Sequence, residues 1–317
     1  MSSPRPRPLV SVVIDSHQHE RFVGDAITSA LAQRYEPLEV IVVDDGSTDR
    51  SRVIIRGFGD RIVPIFTDNR GQASAFNIGF AASRGDVVCL LDSDDLAHPE
   101  RAASVVRALG ADEELGFCFH PLEILGPNEQ PQFAPVTAHT WRPIDVRDAV
   151  RRGERIPYRA PATSGLAFRR ALLGRVLPMT TNLRISADNY MKLVALGISR
   201  GVVLPERLGA QRLHGANLYT GRPRYEAERA RIAVEVAAAV RAAHPEIGRG
   251  PDRVFLRAAG KLLGLSGVGS VASNPVVRRY AGALRGRDLL FGSHHVVRQA
   301  ISGWLERPRG ARAITEE

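Results

Sequence analysis

The chain has 317 residues, 44% of them hydrophobic and only 6% aromatic, with 43 Lys and Arg against 34 Asp and Glu for a net charge of +9. At roughly 100–200 residues per domain it holds one large or two modest domains, and the composition excludes disorder over the whole chain. The charge is uneven: residues 221–317 carry 17 basic and 9 acidic side chains, net +8, leaving +1 for the first 220 residues.

Val10 to Ile14 (V-S-V-V-I) is short and β-branched, the pattern of a strand buried on both faces. Helical spacing follows over 20–33, with Phe22, Val23, Ala26, Ile27, Ala30 and Leu31 on one face. Leu38 to Val43 is a second buried strand. D-D-G-S-T-D at 44–49 ends it, and Thr48 or Asp49 caps a helix to about Arg56. A strand at 62–66, an alanine-rich helix at 71–83, a strand at 86–91 and a helix from Pro99 to about Leu109 follow. This alternation predicts right-handed βαβ units and a parallel sheet. Beyond it, 116–125 reads as a strand, 126–140 as a Pro-rich loop, 144–152 as a helix, 163–168 as a strand and 187–196 as a helix. Residues 202–204 and 208–213 read as short strands. Helices at 225–243, 253–263, 275–284 and 294–305, separated by Gly, Pro and Ser, complete the chain.

In parallel sheets, ligands sit at the carboxyl ends of the strands. Two acidic clusters fall there, Asp44/Asp45 after the second strand and Asp92-Ser93-Asp94-Asp95 after the fourth, so they are expected to converge. Carboxylates two apart at a strand end point to one side and repel unless a cation joins them. A hard divalent ion bridging a diphosphate satisfies that geometry; a plain helix-capping turn is the alternative. An Asp at the tip of the second strand can accept from a base imide or a ribose hydroxyl, or cap the following helix. Asn69-Arg70-Gly71 opens a helix whose N-terminal N–H groups would hold an anion, helped by Arg70.

In this order, V-S-V-V-I, S-A-L-A-Q-R-Y, E-V-I-V-V-D-D-G-S-T-D, N-R-G-Q-A-S-A-F-N-I-G and G-D-V-V-C-L-L-D-S-D-D resemble the family 2 glycosyltransferases of the GT-A fold. The resemblance is close over 9–110 and loose to about 220. It implies an α/β fold with a mostly parallel central sheet: a catalytic domain over 1–220, with a nucleotide-binding half (9–110) and an acceptor half (111–220), and then a basic helical region over 221–317. It also implies inverting transfer from a nucleotide-diphosphate sugar, with Mg²⁺ or Mn²⁺, to a carbohydrate or lipid-linked hydroxyl. By the resemblance, Asp44 or Asp45 would meet the base and ribose. Asp92 would approach the ribose or the metal, Asp94 would ligate the metal, and Arg70 would lie near the nucleotide or diphosphate. The family's usual P-x-Y-N after the first strand is replaced by Asp15-Ser16-His17-Gln18, which places Asp15 and His17 at the donor nucleotide. An inverting transfer needs a carboxylate base. Ala187-Asp188-Asn189-Tyr190 resembles the family's E-D helix start with Ala in place of Glu, and makes Asp188 the candidate base. Thr163-Ser164-Gly165 resembles the stretch lining the acceptor side. Arg212-x-His214 with Asn217 resembles an R-x-H loop from which His214 would touch the diphosphate or the metal. His17, His19, His120, His139, His294 and His295 show no ligand spacing.

The basic helices of the last third read either as an appendage or homodimer contact, or as a peripheral contact with an anionic membrane that would suit a lipid-linked acceptor. Cys89 and Cys118 sit in apolar runs and read as buried free thiols. The first residues lack the apolar core of a signal peptide, and no apolar run approaches ~20 residues, so the expected location is cytoplasmic, with the inner membrane face as an option. No G-x-G-x-x-G follows the first strand, against a dehydrogenase, and no motif supports nucleic acid as partner. A catalytically impaired scaffold of the same fold is the alternative favoured by Ala187 and D-S-H-Q; a nucleotidyltransferase lacks its Gly-rich basic loop.

Overall fold

The computed structural model describes residues 6–126, 128–136, 141–158, 160–180, 183–214 and 225–284, with 296 and 300. The strands are β1 (Val10–Ser16), β2 (Leu38–Asp45), β3 (Val63–Thr67), β4 (Val87–Asp92), β5 (Leu96–Ala97), β6 (Leu115–Phe119), β7 (Glu123–Leu125), β8 (Pro143–Ile144), β9 (Leu166–Arg169), β10 (Arg200–Val203) and β11 (Gly209–Arg212). The helices are α1 (Val23–Leu31), α2 (Ser51–Arg56), α3 (Gln72–Ala82), α4 (Arg101–Gly110), α5 (Arg147–Arg152), α6 (Arg170–Val176), α7 (Ala187–Ile198), α8 (Glu226–Ala243), α9 (Gly250–Ser273) and α10 (Pro275–Ala283). The chain forms two compact units, Met1–Arg147 with Ile156–Asn217, and Asp148–Arg155 with Leu218–Glu317.

In the first unit an eight-stranded sheet runs β3-β2-β1-β4-β9-β6-β10-β8. β1, β2, β3 and β4 pair in parallel, as do β6 and β10. β9 is antiparallel to both β4 and β6, and β8 is antiparallel to β10. The expected mostly parallel sheet is therefore present. The chain moves outward from β1 to β2 and β3, then returns to the other side of β1 as β4. The carboxyl ends of β1 and β4 are thus the switch point, where a crevice opens. Register places Asp15 beside Asp92 and Ser16 beside Asp44. A small sheet, β5-β11-β7, brings the Arg212 end of β11 back to the turn that follows β4.

Both central strands are apolar on both faces, so α3 must lie flat on the sheet to cover them. Gly79 permits this: a Cβ there would stand 2.4 Å from Val13 Cγ1. Gly79→Ala is expected to destabilise the chain by about 1–3 kcal/mol through overpacking, read as a fall in denaturation midpoint with unchanged slope.

Two expected strands differ. Residues 116–125 split into β6 and β7 in separate sheets, because Pro121 has no N–H to continue a ladder and His120 turns inward to accept from Arg101 Nε at 3.0 Å. Arg101 is itself buried and donates to the Leu90 and Leu166 carbonyls at 2.8 and 3.1 Å. Residues 163–165 form a 3-10 turn, and the strand begins only at Leu166. Arg170–Val176, too short to show an apolar period, is the additional helix α6.

In the second unit α8, α9 and α10 share a core that includes Val234, Ala237, Phe255, Leu256, Leu262 and Tyr280. Asp252, 3% exposed, accepts from Tyr280 Oη at 2.8 Å and pairs with Arg241. The helix expected at 253–263 runs from Gly250 to Ser273 and leaves helical geometry at Gly267. It is long and apolar enough, by length and composition, to cross a membrane, and 33% of that apolar stretch is buried. The helix expected at 294–305 lies outside the described residues except for 296 and 300, as do Asn217, His139, His294 and His295.

Candidate active site

β1 and β4 end together, and their last carboxylates face each other across the register. Asp15 and Asp92 are direct cross-strand neighbours. Gln72, the first residue of α3, donates its Nε2 to Asp15 Oδ2 at 3.2 Å and to Asp92 Oδ1 at 3.4 Å. Its Oε1 accepts from the N–H of Ala187 at 3.0 Å. One amide therefore ties the acidic pair to the first turn of α7, where Asp188 sits. Asp188 is close enough to raise the pKa of Asp92. Its Oδ2 accepts from Lys192 Nζ at 2.6 Å, and Lys192 also donates to the Pro161 carbonyl at 3.0 Å.

Burial lifts the Asp15 carboxyl to about 7, against the hydrogen bonds from Asp92 and Gln72. Burial and then the charge of Asp15 push Asp92 well above the ordinary range. A carboxyl raised from 3.8 to about 7 stays protonated in the folded chain where the unfolded chain has already ionised. Its stabilising share is complete below 3.8 and is lost as pH rises through about 7. In EDTA, the melting temperature of the wild type is expected to fall relative to that of Asp15→Asn between pH 4 and 7, by an amount worth a few kcal/mol in all. Parallel melting curves for the two proteins would contradict it.

The turn after β4 is fixed from behind. Ser164 Oγ donates to Asp95 Oδ2 at 2.6 Å and accepts from the Asp92 N–H at 3.0 Å. Asp95 Oδ1 accepts from the Arg212 N–H at 3.0 Å. With both oxygens engaged and 2% exposure, Asp95 is an anchor for the turn; burial and the charge of Asp94 raise its pKa. Asp94 turns instead to two histidines. Its Oδ2 lies 3.0 Å from His214 Nε2 and 3.9 Å from His19 Nε2. Burial opposes ionisation of Asp94, but the His214 hydrogen bond and the two imidazoles outweigh it and hold its pKa below 3.8. Two sets of ligand atoms each gather within 4.8 Å: Asp92, Asp94 and Asp95, and His19, Asp94 and His214. Carboxylate and imidazole donors in these sets fit a divalent cation.

Asp44 and Asp45 differ sharply. Asp45 accepts the N–H groups of Arg70 and Gly71 at 2.8 and 2.7 Å. The next two N–H groups, of Gln72 and Ala73, go to the Arg184 and Leu183 carbonyls. The anion site expected at the start of α3 is therefore filled by the chain itself, and Arg70 is exposed beside it. Gly71 allows this closure, with φ +91 and a would-be Cβ 2.5 Å from Arg184 Cα. Asp44 Oδ1 accepts from Ser47 N–H at 3.0 Å and Arg52 Nε at 2.7 Å, while its buried Oδ2 has no partner among the described residues.

His17 and His19 are two apart yet diverge. Gln18 between them takes φ +57, a left-handed conformation that costs of order 1 kcal/mol for a residue with a Cβ. Gln18 offsets this by accepting from the N–H groups of Thr48 and Asp49, both at 3.1 Å, and by donating to Ser47 and Thr48 hydroxyls. His17 consequently meets the Asp45 carbonyl and Asn69, and His19 faces Ser93 and Asp94. The structure thus brings Asp15, Asp92, Asp94, Asp188 and His214 to one crevice, with Asp44, Asp45 and His17 along its β2 side. Ser164, from the Thr163-Ser164-Gly165 stretch, joins them, as do Gln72, Lys192 and His19, whose roles no local signal marks.

The Glycosyl transferase family 2 profile matches residues 11–176. An uncharacterised glycosyltransferase of Nostoc sp. is 35% identical over 213 residues, 66% of this chain and 66% of the relative. An uncharacterised glycosyltransferase of Rickettsia typhi is 35% identical over 118 residues, 36% of this chain and 37% of the relative. The chain therefore spans less than two thirds of the length of these relatives. Among solved structures, S. aureus TarS superposes with TM-score 0.59 at 16% identity, over 93% of this chain and 54% of TarS. A mannosyltransferase of Pyrobaculum calidifontis, in complex with GDP-Man and Mn²⁺, superposes with TM-score 0.55 at 19% identity, over 96% and 89%. These two share its fold. With the profile covering more than half of its length, the chain belongs to glycosyltransferase family 2.

Proposed function

We propose that the chain transfers a sugar from a nucleoside-diphosphate donor to a hydroxyl acceptor, with inversion at the anomeric carbon. The observation that carries this reading is the meeting of Asp15, Asp92 and Asp188 at the β1/β4 switch point, with Asp94 beside them against two histidines. Asp188 accepts the acceptor's proton as that oxygen bonds to the anomeric carbon and the diphosphate departs with the electron pair. Lys192 holds the Asp188 carboxylate in place. Asp94, His214 and Asp92 are the residues that would hold a divalent cation, Mg²⁺ or Mn²⁺. When bound, such an ion neutralises the leaving diphosphate. The unpartnered Oδ2 supports Asp44, rather than Asp45, as the carboxylate that meets the base. His17 and the exposed Arg70 flank the same side.

The +8 excess over 221–317 and the largely unburied apolar stretch of α9 support a lipid-linked or cell-envelope acceptor and work at the inner membrane face. A panel of nucleoside diphosphates with and without Mn²⁺, read by thermal shift, tests the donor reading. UDP and GDP are its first arms, since TarS is solved with UDP-GlcNAc and the Pyrobaculum enzyme with GDP-Man. One nucleotide is expected to raise the melting temperature only when the metal is present. No shift with any nucleotide would overturn the reading.

A further inference from the structure

His19 occupies a position that its own sequence does not mark, yet its surroundings are those of a metal ligand. It lies at the mouth of β1, and its Nδ1 is 2.8 Å from Ser93 Oγ. That bond fixes the ring and leaves Nε2 turned toward Asp94 Oδ2 at 3.9 Å. Nε2 makes no hydrogen bond among the described residues. From the other side His214 Nε2 meets the same Asp94 oxygen at 3.0 Å. The two imidazoles stand edge to face, centroids 5.9 Å apart, and Phe22 packs against both, 6.3 Å from His19 and 4.5 Å from His214. The three ligand atoms lie within 4.8 Å of one another. A cleft of about 260 Å³, lined by both histidines with Glu20, Arg21 and Asp49, gives the cluster access to solvent.

We propose that His19 is a further protein ligand of the cation site, giving it a second imidazole donor beside His214 and the carboxylates, and that this second imidazole selects Mn²⁺ or another first-row transition ion over Mg²⁺. The inference rests on the metal reading of Asp94 and His214 and adds the residue that sets which metal is taken. Mg²⁺ favours oxygen donors and keeps its waters, whereas first-row transition ions accept imidazole nitrogen, Mn²⁺ least strongly among them and Co²⁺ and Zn²⁺ more so. A ring held by a hydrogen bond on its far nitrogen is the usual support of a metal-bound histidine. Ser93 supplies that bond, and because Ser93 lies between Asp92 and Asp94, ligand and support are built on one turn.

The test is Mn²⁺ and Mg²⁺ binding to the full chain, by calorimetry and by Mn²⁺ electron spin-echo spectroscopy, in wild type, His19→Ala, His19→Gln, His214→Ala and Asp94→Asn. The expected result is two nitrogen couplings in the wild type and one in His19→Ala. Mn²⁺ affinity falls at least about tenfold in both His19 variants, while Mg²⁺ affinity changes less than twofold. Melting temperature checks that each variant is folded, and His19→Gln serves if His19→Ala is not. If Mn²⁺ affinity and nitrogen couplings are unchanged in the His19 variants but Asp94→Asn and His214→Ala lose the ion, the His19 assignment fails and the metal reading stands. If Asp94→Asn and His214→Ala also bind Mn²⁺ like wild type, both fail.

Discussion

Asp94→Asn is expected to lower the rate of sugar transfer by about a thousandfold and to abolish the metal-dependent thermal shift given by a nucleoside diphosphate. It is also expected to change the stability of the metal-free chain by no more than about 1 kcal/mol. The first expectation follows from position: Asp94 belongs to both groups of ligand atoms, and it is the carboxylate at the meeting point of His19 and His214. The second follows from electrostatics. Asp15, Asp92 and Asp95 all have raised pKa values, and the charge of Asp94 contributes to each increase. Removing that charge relieves repulsion on those three acids but gives up the attraction of the two imidazoles, so the two effects offset, while the amide keeps the volume and a hydrogen bond to His214. Lost function with stability little changed separates a ligand from a structural acid. Activity assays and melting curves in EDTA read the two halves; a strongly destabilised Asp94→Asn would show that this carboxylate serves the fold.

Much of this arrangement was legible in the sequence, for a physical reason. Strands buried on both faces must be apolar throughout, so V-S-V-V-I, V-I-V-V and V-V-C-L-L reveal themselves, and the acids that terminate them fall at the carboxyl edge by the handedness of βαβ units. The second half was harder to read because its order depends on distant pairing. β9 enters antiparallel between β4 and β6, and a proline divides one apparent strand between two sheets. The contacts that support these acids were not legible, even where the residue itself, as with His214 and Ser164, lay in a motif. Gln72 acts on Ala187 across 115 residues, Ser164 on Asp95 across 69, and His214 on Asp94 across 120. No local period carries such contacts. The Ala187 substitution reads differently once Gln72 is seen, because it is the backbone N–H at 187 that the site uses. Likewise, the H-x-H spacing of 17 and 19 carries no ligand signal, since the positive φ of Gln18 sends the two rings to different partners.

Asp188→Asn is expected to reduce turnover by about 10²–10⁴-fold while leaving the metal-dependent nucleotide shift in place. Asp188 sits in the first turn of α7, 9% exposed, with Ser186 before it held at φ +56 and Ala187 fixed by Gln72. Lys192 pairs with its carboxylate at 2.6 Å and is itself held by the Pro161 carbonyl. The amide has nearly the same volume but cannot take a proton, so the loss should fall on kcat with little change in the donor's apparent affinity. Lys192 then separates the two ways in which this could arise. Lys192→Met removes the ion pair but keeps the acid, and is expected to cost far less turnover than Asp188→Asn. If the two variants lost turnover equally, the ion pair, rather than the carboxylate as base, would be what the reaction requires. If Asp188→Asn instead erased the nucleotide shift, Asp188 would belong to donor binding, and the base would have to be sought elsewhere on the acceptor side.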